Sequence, residues 1–201
     1  PLRALARKGV FYALLAAIVL GGAAEVTMAQ WASAFLEKGL QLPKLAGDVW
    51  GVCFFSLMLA LGRSGYAALG ARVPLHRLLI GGSGAAAVLY VVCALAQSPL
   101  LGVLDCGLTG LCVSLLWPGA IILASRRIPS AGAAMFALLS AGGDVGASLG
   151  AFCVGRAADW AQASGTVFAG AAGESGALRA GLLLAAVFPL LCCGVHTALH
   201  C

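Results

Sequence analysis

Between Val10 and Leu36 the chain reads VFYALLAAIVLGGAAEVTMAQWASAFL, an apolar run of membrane-spanning length with one carboxylate, Glu25, near its middle. A helix needs roughly 20 mostly apolar residues to cross a hydrocarbon core of about 30 Å, so the run predicts a transmembrane helix. It is too long for the apolar core of a signal peptide. Inside a bilayer the backbone must satisfy its own hydrogen bonds, which leaves helices or closed barrels, and long apolar runs without a period of two select helices. An ionisable group at that depth costs at least about 2.5 kcal/mol on insertion scales, so Glu25 is a functional candidate whose partner must come from another span.

The whole chain follows the same rule. It is 62% hydrophobic and 9% charged, against roughly 25% charged in an ordinary soluble domain, and it reads as an integral membrane protein. Apolar runs between charged or Pro/Gly breaks predict six spans near 10–36, 46–69, 78–97, 100–125, 132–157 and 179–199, one all-α polytopic bundle over residues 1–201. The cations alternate between its ends. Arg3, Arg7, Lys8, Arg63, Arg72, Arg77, Arg126 and Arg127 fall on one side, and Lys38, Lys44, Arg156 and Arg179 on the other, so the positive-inside rule places both termini in the cytoplasm and the bundle in the cell membrane. The net charge of +5 is spread thinly between apolar segments, without the basic stripe that nucleic acid requires. Pro1 in place of Met reads as a start that is not the natural one.

The eight cysteines fall almost entirely within apolar segments, where a free thiol is a small buried hydrophobe, and no CxxC or Cys/His spacing points to a metal. His76, His196 and His200 lie near segment ends and read as interfacial side chains. No GxxxxGK[ST] loop is present to support ATP-driven transport.

Two spans carry special features. The fourth holds Asp105 near its outer end and the triplet Trp117, Pro118, Gly119 farther along, where proline removes a helical hydrogen bond and predicts a kink. The fifth, AGAAMFALLSAGGDVGASLGAFCVGR, has Gly142, Gly146 and Gly150 at intervals of four with Asp144 among them. Small residues at that spacing make a groove for close helix approach. The neighbours of Asp144 and of Glu25 at helical spacing are mostly small, so both acids are expected to face other helices, not lipid.

These features together resemble the C-terminal six-helix half of a major facilitator superfamily transporter, across essentially all of the chain. The resemblance rests on the second span running into LGRSGYAALGARVPLHRLL, the WPG kink, the Gly-rich fifth span after RRIPSAGAAMF, and the Glu25 region GGAAEVTMAQWASAFL, which is similar to bacterial members related to sugar permeases. The family's loop after the second helix has the form GxLaDRxGRR. Leu69 and Arg72 match it and Arg77 falls among its closing basic residues, but Ala71 replaces the acid and Pro74 the second glycine, which puts a charge-relay gate in this loop in doubt.

The resemblance implies secondary active transport of a small solute by alternating access, with an N-terminal six-helix half or a second copy as partner. It implies that the first and fourth helices line the central cavity, making Glu25, Gln30, Trp31, Asp105 and Trp117 cavity candidates, and that the fifth helix meets the other half through the face around Asp144. Glu25 would be the proton-coupling site, because a carboxylate whose hydration changes between two states can exchange a proton. A cavity with carboxylates, one Gln and two Trp suits a sugar through stacking and hydrogen bonds, or a cationic drug-like solute through charge and cation–π contact.

Two other readings compete. Rhomboid-type intramembrane serine proteases also have six spans and need a GxSG nucleophile with a late-helix His; GGSG at Gly81 to Gly84, GRSG at Gly62 to Gly65 and His196 offer a weak match. A non-catalytic six-helix subunit would use the small-residue face of the fifth span for assembly.

Overall fold

The computed structural model describes residues 9–70, 72–129 and 132–200. Arg3, Arg7, Lys8, Ala71 and Cys201, which entered the sequence reading, lie outside the described residues. The protein is an all-α bundle of six helices long and apolar enough to cross a membrane: α1 Gly9–Gly39, α2 Lys44–Leu69, α3 Leu75–Leu95, α4 Pro99–Arg127, α5 Gly132–Ala163 and α6 Gly173–His200. It is a multi-pass membrane protein by this architecture.

The helix boundaries have local causes. Pro74 sets the start of α3, and Ser98 caps α4 by accepting a hydrogen bond from the Leu101 amide, 3.3 Å, with Pro99 at the first helical position. The Leu115–Leu116 junction breaks α4 into Pro99–Val113 and Leu116–Arg127, one turn before Pro118, as the WPG triplet predicts. At the end of α5, Gly165 adopts φ of +65°, and the Gly165 and Thr166 amides donate to the Gln162 and Ala161 carbonyls at 3.2 and 3.0 Å. That is a Schellman stop, which needs a left-handed residue and so favours glycine.

Helix α1 is the hub. It is apolar all round and packs most extensively on α5, then on α6 and α4, while α3 lies against α4 and α6. Helix α2 is peripheral: 17% of its apolar stretch is buried, against 56% for α4, and it rests mainly on α4. Glycines make the tight approaches. A Cβ at Gly146 would strike the Val19 backbone and one at Gly150 would meet Ala23 and Thr27, so the glycine face of α5 is occupied by α1.

All six helices run past a predicted end by one residue or more. α1 continues through a π-helical turn, Phe35–Gly39; α5 runs to Ala163; and α6 begins at Gly173, six residues before the predicted start. The last difference matters most, because it takes Arg179 from the first residue of a predicted span into the second turn of a helix. Arg63, also counted above with the loop cations, likewise stands inside α2.

Candidate functional site

The site is built from a proline. In a continuous helix the Ser114 carbonyl would accept from the amide of residue 118, but Pro118 has no N–H to give. The orphaned carbonyl is taken from outside the helix. Arg63 of α2 donates from Nε to the Ser114 oxygen at 3.0 Å, and from Nη2 to both carboxylate oxygens of Glu25 in α1, at 2.7 and 2.8 Å. One guanidinium therefore clasps three helices. Gly62 permits the approach, since a Cβ there would collide with the Ser114 side chain.

The pair is unevenly buried. The Glu25 side chain is 13% exposed and that of Arg63 is 42% exposed, so the cation faces an opening while the acid sits within the bundle. Charge-assisted bonds of this kind are the strong members of their class, but a half-exposed partner keeps the pair breakable. Next to Glu25 along α1, the Ala24 carbonyl accepts from the Tyr90 hydroxyl of α3 at 2.6 Å, which ties α1 to α3 at the same level. A cleft of about 400 Å³ adjoins the clasp between α2, α3 and α4, lined by Gly62, Tyr66, Gly82, Leu111 and Ser114 among others.

The other candidates are placed differently. Asp105 is 2% exposed with the Cys93 thiol and Thr109 hydroxyl beside it, yet neither carboxylate oxygen reaches hydrogen-bond geometry with any described residue. Trp31 donates from Nε1 to the Ala151 carbonyl of α5 at 3.2 Å and lies over Gly155, and Trp117 packs against Gly143 and Gly22. Both tryptophans thus wedge α1, α4 and α5 together. Gln30 is exposed on α1. Arg72 stands in the α2–α3 turn and Arg77 in the first turn of α3, both exposed, with Arg77 bordering the cleft.

Asp144 does not face another helix of this bundle. Gly143, Gly146 and Gly150 are buried, but Asp144 is exposed on α5, because the α1 contact uses the opposite side of that helix. Its small-residue neighbours are not a sign of burial within this bundle.

Arg179 was not predicted as a site residue at all. It is 3% exposed and donates to the carbonyls of Ala94 at 3.1 Å, Ala96 at 2.5 Å and Gly39 at 3.2 Å, with its guanidinium 5.6 Å from the centre of the Phe35 ring. These carbonyls end α1 and α3, where helix dipoles favour a cation. A signal was present: one arginine between two apolar helical stretches.

Ser83 and His196 do not hydrogen-bond to each other. The Ser83 hydroxyl donates to its own helix, to the Leu79 and Ile80 carbonyls at 2.6 and 3.1 Å, and neither ring nitrogen of His196 has a hydrogen-bond partner among the described residues. Among the described residues no three His, Cys, Asp or Glu side chains gather as a metal-binding group. Compared with protein-family models, curated proteins and solved structures, the chain finds no match in any of the three.

Proposed function

We propose that this chain is a six-helix bundle of a secondary transporter that moves a small solute by alternating access, in the manner of the C-terminal half of a major facilitator superfamily permease, with Glu25 as its proton-coupling group. The observation that carries the reading is the clasp of Glu25, Arg63 and the Ser114 carbonyl. A bundle that only needed to stay folded would gain little from two charges placed in its spans, where each is expensive.

The arrangement also provides a means of coupling. When Glu25 is ionised, Arg63 joins α1 to the break in α4; when Glu25 takes a proton the attraction is lost and Arg63 keeps only the Ser114 carbonyl. Proton binding then releases α2 from α1 while leaving it hinged on α4, and the adjoining cleft leaves room for α2 to shift. Exposed polar groups on three spans, Gln30, Arg63 and Asp144, belong against a water-filled cavity or a second bundle, since lipid would not accept them. A second bundle is also what alternating access requires.

The subunit reading draws less support, because the glycine face of α5 is already filled by α1. The test is accumulation of sugar-like and cationic solutes in proteoliposomes under an imposed proton gradient. Glu25→Gln should abolish proton-driven accumulation and spare solute exchange; unchanged accumulation removes Glu25 from the mechanism.

A further inference from the structure

At the end of the bundle where α2 turns into α3, a cavity of about 210 Å³ lies between the start of α3 and the ends of α4 and α6. Its polar lining is His76 from α3, Arg126 and Arg127 from α4, and His196 and His200 from α6. None of the chain's seven Asp and Glu residues is among the lining residues. The described lining therefore carries two arginines and no carboxylate, set against the carbonyl ends of α4 and α6.

Three independent features point to an anion. First, Pro74 and Leu75 line the cavity at the N-terminus of α3, which has no side-chain cap and no acid in its first turn. Free amides and the helix dipole at such an end attract negative charge. Second, His196 is 2% exposed and lines the cavity with neither ring nitrogen hydrogen-bonded among the described residues, where a buried polar group ordinarily has a partner. It was expected to be interfacial; it is buried. Third, the rings of His76 and His200 approach to 4.2 Å between centres and both line the cavity, where ring N–H groups can donate to an anion beside them. Arg127 donates to the Leu199 carbonyl at 2.6 Å, while Arg126 stands exposed at the rim of the cavity.

From this convergence we propose that the cavity binds a phosphate-class anion, held by Arg126, Arg127, His196 and the first amides of α3. Arginine suits a phosphate because its planar fork donates to two oxygens at once. The volume is below the roughly 300–1,000 Å³ of sites for drug-sized ligands and matches one phosphate with a small substituent. The same chemistry is offered by an anionic lipid headgroup, which basic pockets between membrane helices take up, and by a phosphate-bearing solute from water.

The experiment uses the full-length protein purified in a neutral detergent. Thermal stability is titrated with inorganic phosphate against chloride at matched ionic strength, and separately with phosphatidylglycerol against phosphatidylcholine in mixed micelles. A saturable rise with phosphatidylglycerol alone assigns a lipid headgroup; a rise with phosphate alone assigns a soluble anion; a rise with both shows that the phosphate group suffices. Arg126→Gln, at an exposed position, should weaken the affinity by about tenfold, the loss of one charge-assisted contact. Arg72→Gln removes an exposed cation from the neighbouring turn and should leave it unchanged. No response to either probe overturns the proposal, and so does an equal loss in Arg72→Gln, which would reduce the effect to general surface charge.

Discussion

Arg63 and Arg179 both stand within long apolar helices, and the bundle treats them in opposite ways. Arg179 is sealed in, with no carboxylate and three main-chain carbonyls around it, so its charge is balanced by the ends of α1 and α3. Arg63 is half exposed and answers a carboxylate on another helix, with one carbonyl as a second attachment. Carbonyl dipoles cannot be titrated away, whereas a carboxylate can be neutralised by a single proton. The first arginine is a permanent staple and the second a releasable one.

This contrast orders the consequences of mutation. The largest effect belongs to Arg179→Leu, which strands the Ala94 and Ala96 carbonyls, each worth about 1–3 kcal/mol when buried and unpaired, while the Gly39 carbonyl keeps the Ser175 hydroxyl as donor. The expected outcome is loss of monodisperse protein on size exclusion, with Arg179→Lys recovering part of the yield because one ammonium cannot reach all three acceptors in the same plane. A well-folded Arg179→Leu protein would mean that the carbonyls find water and that the staple is dispensable.

Arg63→Gln should separate function from fold. Its side chain is 42% exposed, so the stability cost is about 1 kcal/mol or less after solvent screening, read as a thermal midpoint shifted by only a few degrees. Proton-driven accumulation should nevertheless be lost. In a double-mutant cycle with Glu25→Gln the two changes should couple by about 0.5–3 kcal/mol, because each leaves the other's partner uncompensated. Zero coupling would show that the pair carries no interaction energy.

Pro118→Ala sharpens the comparison further. The new amide competes for the Ser114 carbonyl, so α4 should straighten and gain about 1 kcal/mol from the restored bond, while Arg63 loses its hinge. Protection of the new amide in hydrogen exchange, together with slower transport, is the expected pair of readings. The smallest effect is at Lys38, which bridges Glu174 at 2.5 Å on the exposed rim. Lys38→Gln should leave the thermal midpoint unchanged in high salt, where surface pairs are screened.

Much of this architecture was legible from the residues alone. The six spans follow from apolar length, the start of α4 from Ser98 and Pro99, and the break in α4 from Pro118, all of which act on their own helix and need no partner. Glu25 stood out because a carboxylate in the middle of such a run has few cheap explanations. The four-residue glycine spacing in α5 announced a close helix contact, although α1 as the partner, and Asp144 on the side away from it, required the packed bundle.

Where the reading and the structure part, the cause is charge. Arg63 and Arg179 looked like helix ends because a cation in lipid is costly, and that cost depends on what lies opposite. The Glu25 carboxylate, the carbonyl freed by Pro118, and the helix ends at Gly39, Ala94 and Ala96 are brought near these arginines only by folding. The same holds for His196 and its basic cavity, whose lining comes from three helices. Apolar length is a local property of the chain and determines that there are six spans. Compensation of a buried charge is a property of neighbours distant in sequence, so tertiary structure alone decides which cations end a span and which work inside it.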